Sequence, residues 1–240
     1  MTTNVYDISK GLLSTDSRWS KDNGEYVVYI DNTGYDKIVY DNRIAILFAG
    51  DLDLVDVWKK WFHKGKPDPR PKLLDDVSLI IVSLETGMPV FKSEYTLTSG
   101  NEETIQAVYG GTGGVYAKNC WEVNSCAITA VNTAIKEDLL SGGEVVYLNR
   151  NNLSNNIKNS CKIFHVNTQL KETGTIMNMK TKQKESIQNF MNSSNSSSAQ
   201  ALVEEVISGN AKLSAPFVGK GQPWSNEKIA ELDNVLERFR

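Results

Sequence analysis

Thr2-Thr3-Asn4-Val5-Tyr6-Asp7-Ile8-Ser9-Lys10-Gly11-Leu12-Leu13-Ser14-Thr15-Asp16-Ser17-Arg18 carries the first sign of the architecture. Val5 to Ile8 and Leu12 to Thr15 flank a Ser-Lys-Gly turn, so the chain is expected to open on a β-hairpin. The stretch follows Met1, and a small side chain at position two normally leads to removal of the initiator methionine, which leaves Thr2 as the first residue. Such a threonine carries nucleophile and base together. Its hydroxyl is a weak nucleophile until a base takes the proton, and its α-amine titrates at about 7.7–8.0. Asp16, Ser17 and Arg18, taken singly, are also ordinary turn residues.

Working outward, Asp36-Lys37-Ile38 precedes the apolar run Ile44-Ala45-Ile46-Leu47-Phe48-Ala49-Gly50-Asp51. Gly111-Thr112-Gly113-Gly114-Val115-Tyr116-Ala117 and Asp138-Leu139-Leu140-Ser141-Gly142-Gly143 come later. Each has a plain structural reading: Lys37 beside Asp36 is a common solvated pair, and Ser-Gly-Gly after a helical stretch is what a helix C-terminus looks like. Acyl transfer by a threonine hydroxyl, however, needs a proton acceptor, an ammonium-type charge to lower the hydroxyl and amine pKa values, and carboxylates to hold it. Lys37 with Asp16 meets that need. The oxyanion needs backbone donors, and the Gly50 amide, at the end of its strand, is the candidate.

In this order the elements resemble the proteasome β-subunit family and its bacterial self-compartmentalising relatives, threonine peptidases of the N-terminal-nucleophile hydrolase superfamily. The resemblance covers residues 2 to about 168, and Asp-x-x-Ser-Gly-Gly is its most specific piece. It implies an α+β fold, a four-layer αββα sandwich of two antiparallel sheets between helical layers. It places the nucleophile on Thr2, the first acid on Asp16, the lysine on Lys37, and a second acid and serine on Asp138 and Ser141, which would orient the amine. Thr112 stands where the family has a serine in its Gly-x-Gly element. The first specificity pocket falls on Trp19, Tyr35, Val39, Phe48 and Leu52, with Ser20 and Ala49 completing the substrate-binding set. This bulky, uncharged set favours small or slim apolar side chains over charged ones, since an unpaired charge in an apolar site is costly; Trp19 and Phe48 read equally well as core.

The activity implied is that of a threonine endopeptidase working through an acyl-enzyme within an oligomeric compartment. Two other readings stand beside it: an inactive assembly or binding protein, and a small-molecule amidase of the same superfamily. The partners expected are a peptide or unfolded-protein substrate and further copies of the chain, with an unfoldase partner left open. No cofactor and no metal are expected.

The 240 residues, 40% hydrophobic, suffice for a full core. A formal net charge of -3 lacks the basic footprint of a nucleic-acid ligand. Cys120, Cys126 and Cys161 lack metal-ligand spacing, with only His63 and His165 to assist them, and read as free or buried thiols in a reducing compartment. With no secretory leader pattern and no long apolar run, a cytoplasmic, non-membrane protein is expected.

Tyr26 to Ile30, Leu79 to Leu84, Val90 to Tyr95, Glu144 to Leu148 and Lys162 to Val166 read as further strands. Leu54, Val57, Trp58, Trp61 and Phe62 recur at helical spacing up to Gly65, and Pro67, Pro69 and Pro71 forbid continuation. The family's second helix is therefore expected to be missing or reduced. Val115 to Asp138 reads as two helices broken near Ser125, with Val123, Ile128, Val131 and Ile135 on one side. The expected division is a catalytic core at 2–168, a polar linker or long loop at 169–198 and a helical extension at 199–240, with helices at Ala199 to Ile207 and Asn226 to Phe239. The first helix and the last are expected to offer apolar surface for subunit contacts.

Overall fold

The computed structural model describes residues 2–72, 75–101, 104–158, 162–193 and 197–240. The opening hairpin forms from β1 (Asn4–Asp7) and β2 (Leu12–Asp16), in register Asn4 opposite Thr15 and Asp7 opposite Leu12. Then follow β3 (Trp19–Asp22), β4 (Tyr26–Ile30), β5 (Ile38–Tyr40) and β6 (Ile44–Asp51). Helix α1 (Leu52–His63) is capped by the Asp51 carboxylate, which accepts from the Asp53 and Leu54 amides. β7 (Val77–Ser83), β8 (Pro89–Lys92), β9 (Leu97–Gly100) and β10 (Ile105–Gly110) precede α2 (Gly114–Asn124) and α3 (Ala127–Glu137). The break between these helices falls on Ser125, at φ +49. β11 (Val145–Asn149), α4 (Ile163–Thr173), β12 (Thr175–Asn178), β13 (Lys184–Ser186), α5 (Ile187–Met191), α6 (Ser197–Ser208), β14 (Ser214–Ala215) and α7 (Asn226–Arg238) complete the chain.

Two sheets stack between helical layers, the expected four-layer αββα arrangement. The smaller sheet runs β11-β2-β1-β10-β9, and the nine-stranded sheet runs β13-β12-β4-β3-β14-β6-β7-β8 with β5 paired to β6; among the described residues these strands pair antiparallel. Tyr6, Leu13, Val108 and Leu148 from the first meet Ile38, Leu47, Ile80 and Val82 from the second to form the inter-sheet core. Helices α2 and α3 cover the smaller sheet through Trp121, Ala130, Val131 and Ala134. A larger apolar cluster joins the outer face of the nine-stranded sheet to α1, α4, α6 and α7.

Several expectations change. Lys162 to Val166, read as a strand, lies almost wholly in α4: Ile163, Val166 and Leu170 at i, i+3 and i+7 face the core while Phe164 points outward. A five-residue apolar run cannot by itself distinguish strand from helix. The polar stretch from Gln169 is not a continuous linker, because β12 within it pairs with β4 along four positions. Cys161 and Met1 lie outside the described residues, with the expectations attached to them. Val123 is 88% exposed instead of sharing a buried face with Val131. Trp58, Trp61 and Phe62 of α1 and Leu232, Val235 and Leu236 of α7 are spent in the chain's own core, which leaves Val57 as the exposed large apolar residue of α1. Among described residues 64–76 none is helical, as the prolines dictate.

Candidate active site

The hairpin register brings the site together. With Asn4 opposite Thr15, Thr3 and Asp16 abut at its open end: the Asp16 amide donates to the Thr3 carbonyl (3.2 Å) and the Thr3 amide to Asp16 Oδ1 (2.9 Å). Lys37, just before β5, is fixed by its carbonyl, which accepts from the Phe48 amide (2.8 Å). Its Nζ donates to Thr2 Oγ1 (2.6 Å) and to Asp16 Oδ1 (3.0 Å), and the Thr2 hydroxyl donates to the same carboxylate oxygen (2.5 Å). The other oxygen, Asp16 Oδ2, accepts from the Arg18 amide (3.2 Å) and the Gly142 amide (3.0 Å).

Thr2, Asp16 and Lys37 are at most 1% exposed. Burial pushes the Asp16 carboxyl up, but the Lys37 charge, the Thr2 hydroxyl and the Thr3 and Gly142 amides outweigh it and hold it below its ordinary value. Burial likewise pushes the Lys37 ammonium down, and the neighbouring Asp16 only partly restores it, so its pKa ends below the ordinary lysine value. The result is a fixed carboxylate holding, against a hydroxyl, an ammonium group that gives up its proton more readily than an ordinary lysine.

The Asp-x-x-Ser-Gly-Gly element has a physical explanation here. Asp138 Oδ2 accepts from the Ser141 hydroxyl (2.8 Å) and Oδ1 from the Leu140 amide (3.1 Å), while burial raises the Asp138 pKa against both bonds. Ser141 Oγ is 2.8 Å from Thr3 Oγ1, so this pair reaches Thr3 rather than the Thr2 nitrogen it was expected to orient. A Cβ on Gly142 would lie 2.2 Å from Arg18 Cζ. The missing side chain therefore lets Arg18 pass to its two-pronged bond with Asp31 (2.8 Å each) while the glycine amide serves Asp16.

The Thr2 nitrogen donates to the Pro216 carbonyl (3.1 Å), and Thr112 Oγ1 lies 3.5 Å from the same oxygen. Gly50 sits at φ +133 with the Asp76 carbonyl 2.2 Å from where a Cβ would be, and its Cα partner across the ladder is Ala215. The other residues of the expected substrate-binding set are buried: Trp19, Ser20, Val39, Phe48 and Ala49 fully, Tyr35 and Leu52 at 4% and 2%. Trp19 Nε1 donates to the Tyr35 carbonyl (3.0 Å), and the Tyr35 hydroxyl to Asp56 (2.8 Å). Trp19, Tyr35, Val39, Phe48 and Leu52 belong to the same apolar cluster as Leu213 and Ala215.

Sequence reading missed Thr3, whose hydroxyl and amide both contact site carboxylate or serine, and the whole segment 213–216. Thr3 was findable from the hairpin register; the two-residue β14 carries no periodic signal. Cys120 and Cys126 are free thiols away from these contacts, and the described residues hold no cluster of three or more His, Cys, Asp or Glu side chains able to bind a metal. No helix among them is long and apolar enough to cross a membrane.

No protein-family model matches the chain, and no curated protein matches it in sequence. Solved structures similar to it include the crystal structure of eukaryotic HslV from Trypanosoma brucei, at 15% identity and a TM-score of 0.40, covering 60% of this chain and 97% of that one. Another is Thiobacillus denitrificans BPH in complex with epoxomicin, at 12% identity and a TM-score of 0.43, covering 62% of this chain and 97% of that one.

Proposed function

We propose that the chain is a threonine-type hydrolase of peptide bonds, with Thr2 Oγ1 as nucleophile once Met1 has been removed. The observation that carries this reading is the buried triangle of Thr2 Oγ1, Lys37 Nζ and Asp16 Oδ1, with all three separations at or below 3.0 Å. A purely structural ion pair would be no more stable for excluding water, since desolvation offsets most of the Coulombic gain.

In the proposed reaction Lys37, its pKa lowered by burial, takes the proton from Thr2 Oγ1 as the oxygen attacks the substrate carbonyl. Asp16 stays ionised and fixes the amine. The Gly50 amide is assigned to the oxyanion, and the departing amine takes up the proton as the Thr2 ester forms. Water then attacks the ester, releases the carboxylic acid and restores the hydroxyl. The freed Thr2 α-amine, whose nitrogen bonds to the Pro216 carbonyl, supplies a second base for this step. Asp138 and Ser141 act through Thr3, holding the strand that presents Thr2.

An extended peptide is the substrate class, because a main chain lying along β6 would bring its carbonyl to Gly50. A small-molecule amide would use the same nucleophile without that edge. A closed homo-oligomer that encloses the sites is part of this proposal, and Val115, Tyr116 and Val123 on α2 are exposed apolar residues available to it. Hydrolysis of a fluorogenic peptide amide, lost in Thr2→Ala and retained in Thr2→Ser, tests the assignment; turnover unchanged in Thr2→Ala rules it out.

A further inference from the structure

We infer that residues 213–216 are an internal, displaceable occupant of the slot between β3 and β6, and that they hold the site at Thr2 shut until they leave. The inference rests on the hydrolase reading for what the slot serves, although occupancy can be tested without catalysis.

The nine-stranded sheet is continuous only because of β14. Ser214 pairs with Ser20 of β3 on one side and Asp51 of β6 on the other, and Ala215 pairs with Gly50. Just before the strand, the Leu213 carbonyl accepts from the Leu52 amide (3.0 Å); just after it, the Pro216 carbonyl accepts from the Thr2 nitrogen (3.1 Å). The segment thus runs as an extended strand through an edge-to-edge gap, along the amide assigned to the oxyanion, and reaches the nucleophile. That is the path a bound peptide main chain would take. Pro216 has no N–H to donate, and the last ladder pair of the segment is Ala215 with Gly50.

The fit is that of a replaceable tenant. Ser20 Oγ is fully buried and has no hydrogen-bond partner among the described residues, and the nearest polar group offered by the segment, Ser214 Oγ, is instead directed at the Ser20 carbonyl at 3.4 Å. Leaving a buried hydroxyl unpaired costs about 1–3 kcal/mol. An extended ligand with a hydrogen-bonding side chain at that position would recover it. The segments on either side contain Gly209, Gly219 and Gly221, all at positive φ. Only Ser214 and Ala215 are in ladder pairing, whereas β6 and β7 pair over seven positions.

The test uses the full chain. Ala215→Asp puts a charge at a fully buried position of β14 and should expel the segment. A fluorescein-labelled synthetic peptide of residues 210–218 should then bind at least ten-fold more tightly than to the wild type, and hydrolysis of a fluorogenic peptide should rise with it. Binding without hydrolysis keeps the occupant and removes the hydrolase reading. A folded variant that gains neither overturns the inference. Should Ala215→Asp not fold, Ser20→Cys/Ser214→Cys replaces it, since these two residues are direct cross-strand partners. The reduced protein should bind the peptide and the oxidised protein should not, with dithiothreitol restoring binding; equal peptide binding in the two redox states overturns the inference.

Discussion

Two segments meet at Thr2 with unequal holds. The hairpin that presents it is paired on both sides: β1 has four partners in β2 and four in β10, and its side chains reach into two cores. The segment that covers it, β14, is held by three cross-strand pairs, Ser214 with Ser20 and with Asp51, and Ala215 with Gly50. Elements with few buried contacts and short ladders open at a free energy below that of the whole fold. A site whose chemical half is anchored in the core and whose cover is not can be rigid in geometry yet gated in access. Amide hydrogen exchange should be slow at Val5 and Leu13 and faster at Leu52, whose amide bonds to Leu213.

The largest effect is expected at Lys37, on the anchored side of the site. Lys37→Ala should abolish turnover and also destabilise the fold by about 3–5 kcal/mol, because Asp16 keeps a fully buried charge without its counter-ion. Chemical denaturation beside a peptide assay reads both effects. Gly50→Ala comes next: the added Cβ meets the Asp76 carbonyl at 2.2 Å, so a loss of about 2–4 kcal/mol is expected, with turnover falling further than stability alone explains.

Ser141→Ala should cost about 1–3 kcal/mol by leaving Asp138 Oδ2 and Thr3 Oγ1 short of a partner, and lower turnover only in part, because neither atom touches the triangle at Thr2. The smallest effect belongs to the cover's outer edge. The Lys212–Asp53 pair is half-exposed on both sides, so Lys212→Ala should leave the thermal midpoint unchanged within a degree or so by the usual worth of such pairs.

The pH dependence separates the same two halves. Asp16 has a lowered folded pKa, so its stabilising share is complete above its ordinary 3.8 and disappears as pH falls through the lower folded value. Lys37, also lowered, must be neutral to accept a proton, so turnover should rise with pH through a midpoint below 10.5. Over the window between that midpoint and 10.5 the unfolded chain binds the extra proton, and stability rises with pH as well. A pH–rate profile and denaturation at matched pH values check the two signs.

Residues 2–16 were legible because strand alternation and a glycine turn gave the hairpin, and the hairpin fixes Thr2 beside Asp16. The helix from Leu52 was legible from its aromatic spacing and the prolines after it. Lys37 was placed by resemblance, since Asp36-Lys37 alone looks like a solvated pair; its burial comes from the Phe48 bond across β5 and β6, a contact between distant positions. β3, with Trp-Ser-Lys-Asp, has no apolar alternation, and β14 is two residues long. Strands of that kind are defined by the edges they join, and no local pattern records them. The α4 segment was misread because five apolar-rich residues fit either period.

Thr2 Oγ1, the proposed nucleophile, can be caught in the act by quenching the full chain in acid during reaction with an activated peptide ester and mapping the trapped acyl group by mass spectrometry. The expected product is an N-terminal peptide that begins at Thr2 and carries the acyl mass on its hydroxyl, absent in Thr2→Ala. An N-terminal peptide that keeps Met1 in nearly all molecules, or an acyl group on any other residue, would contradict it.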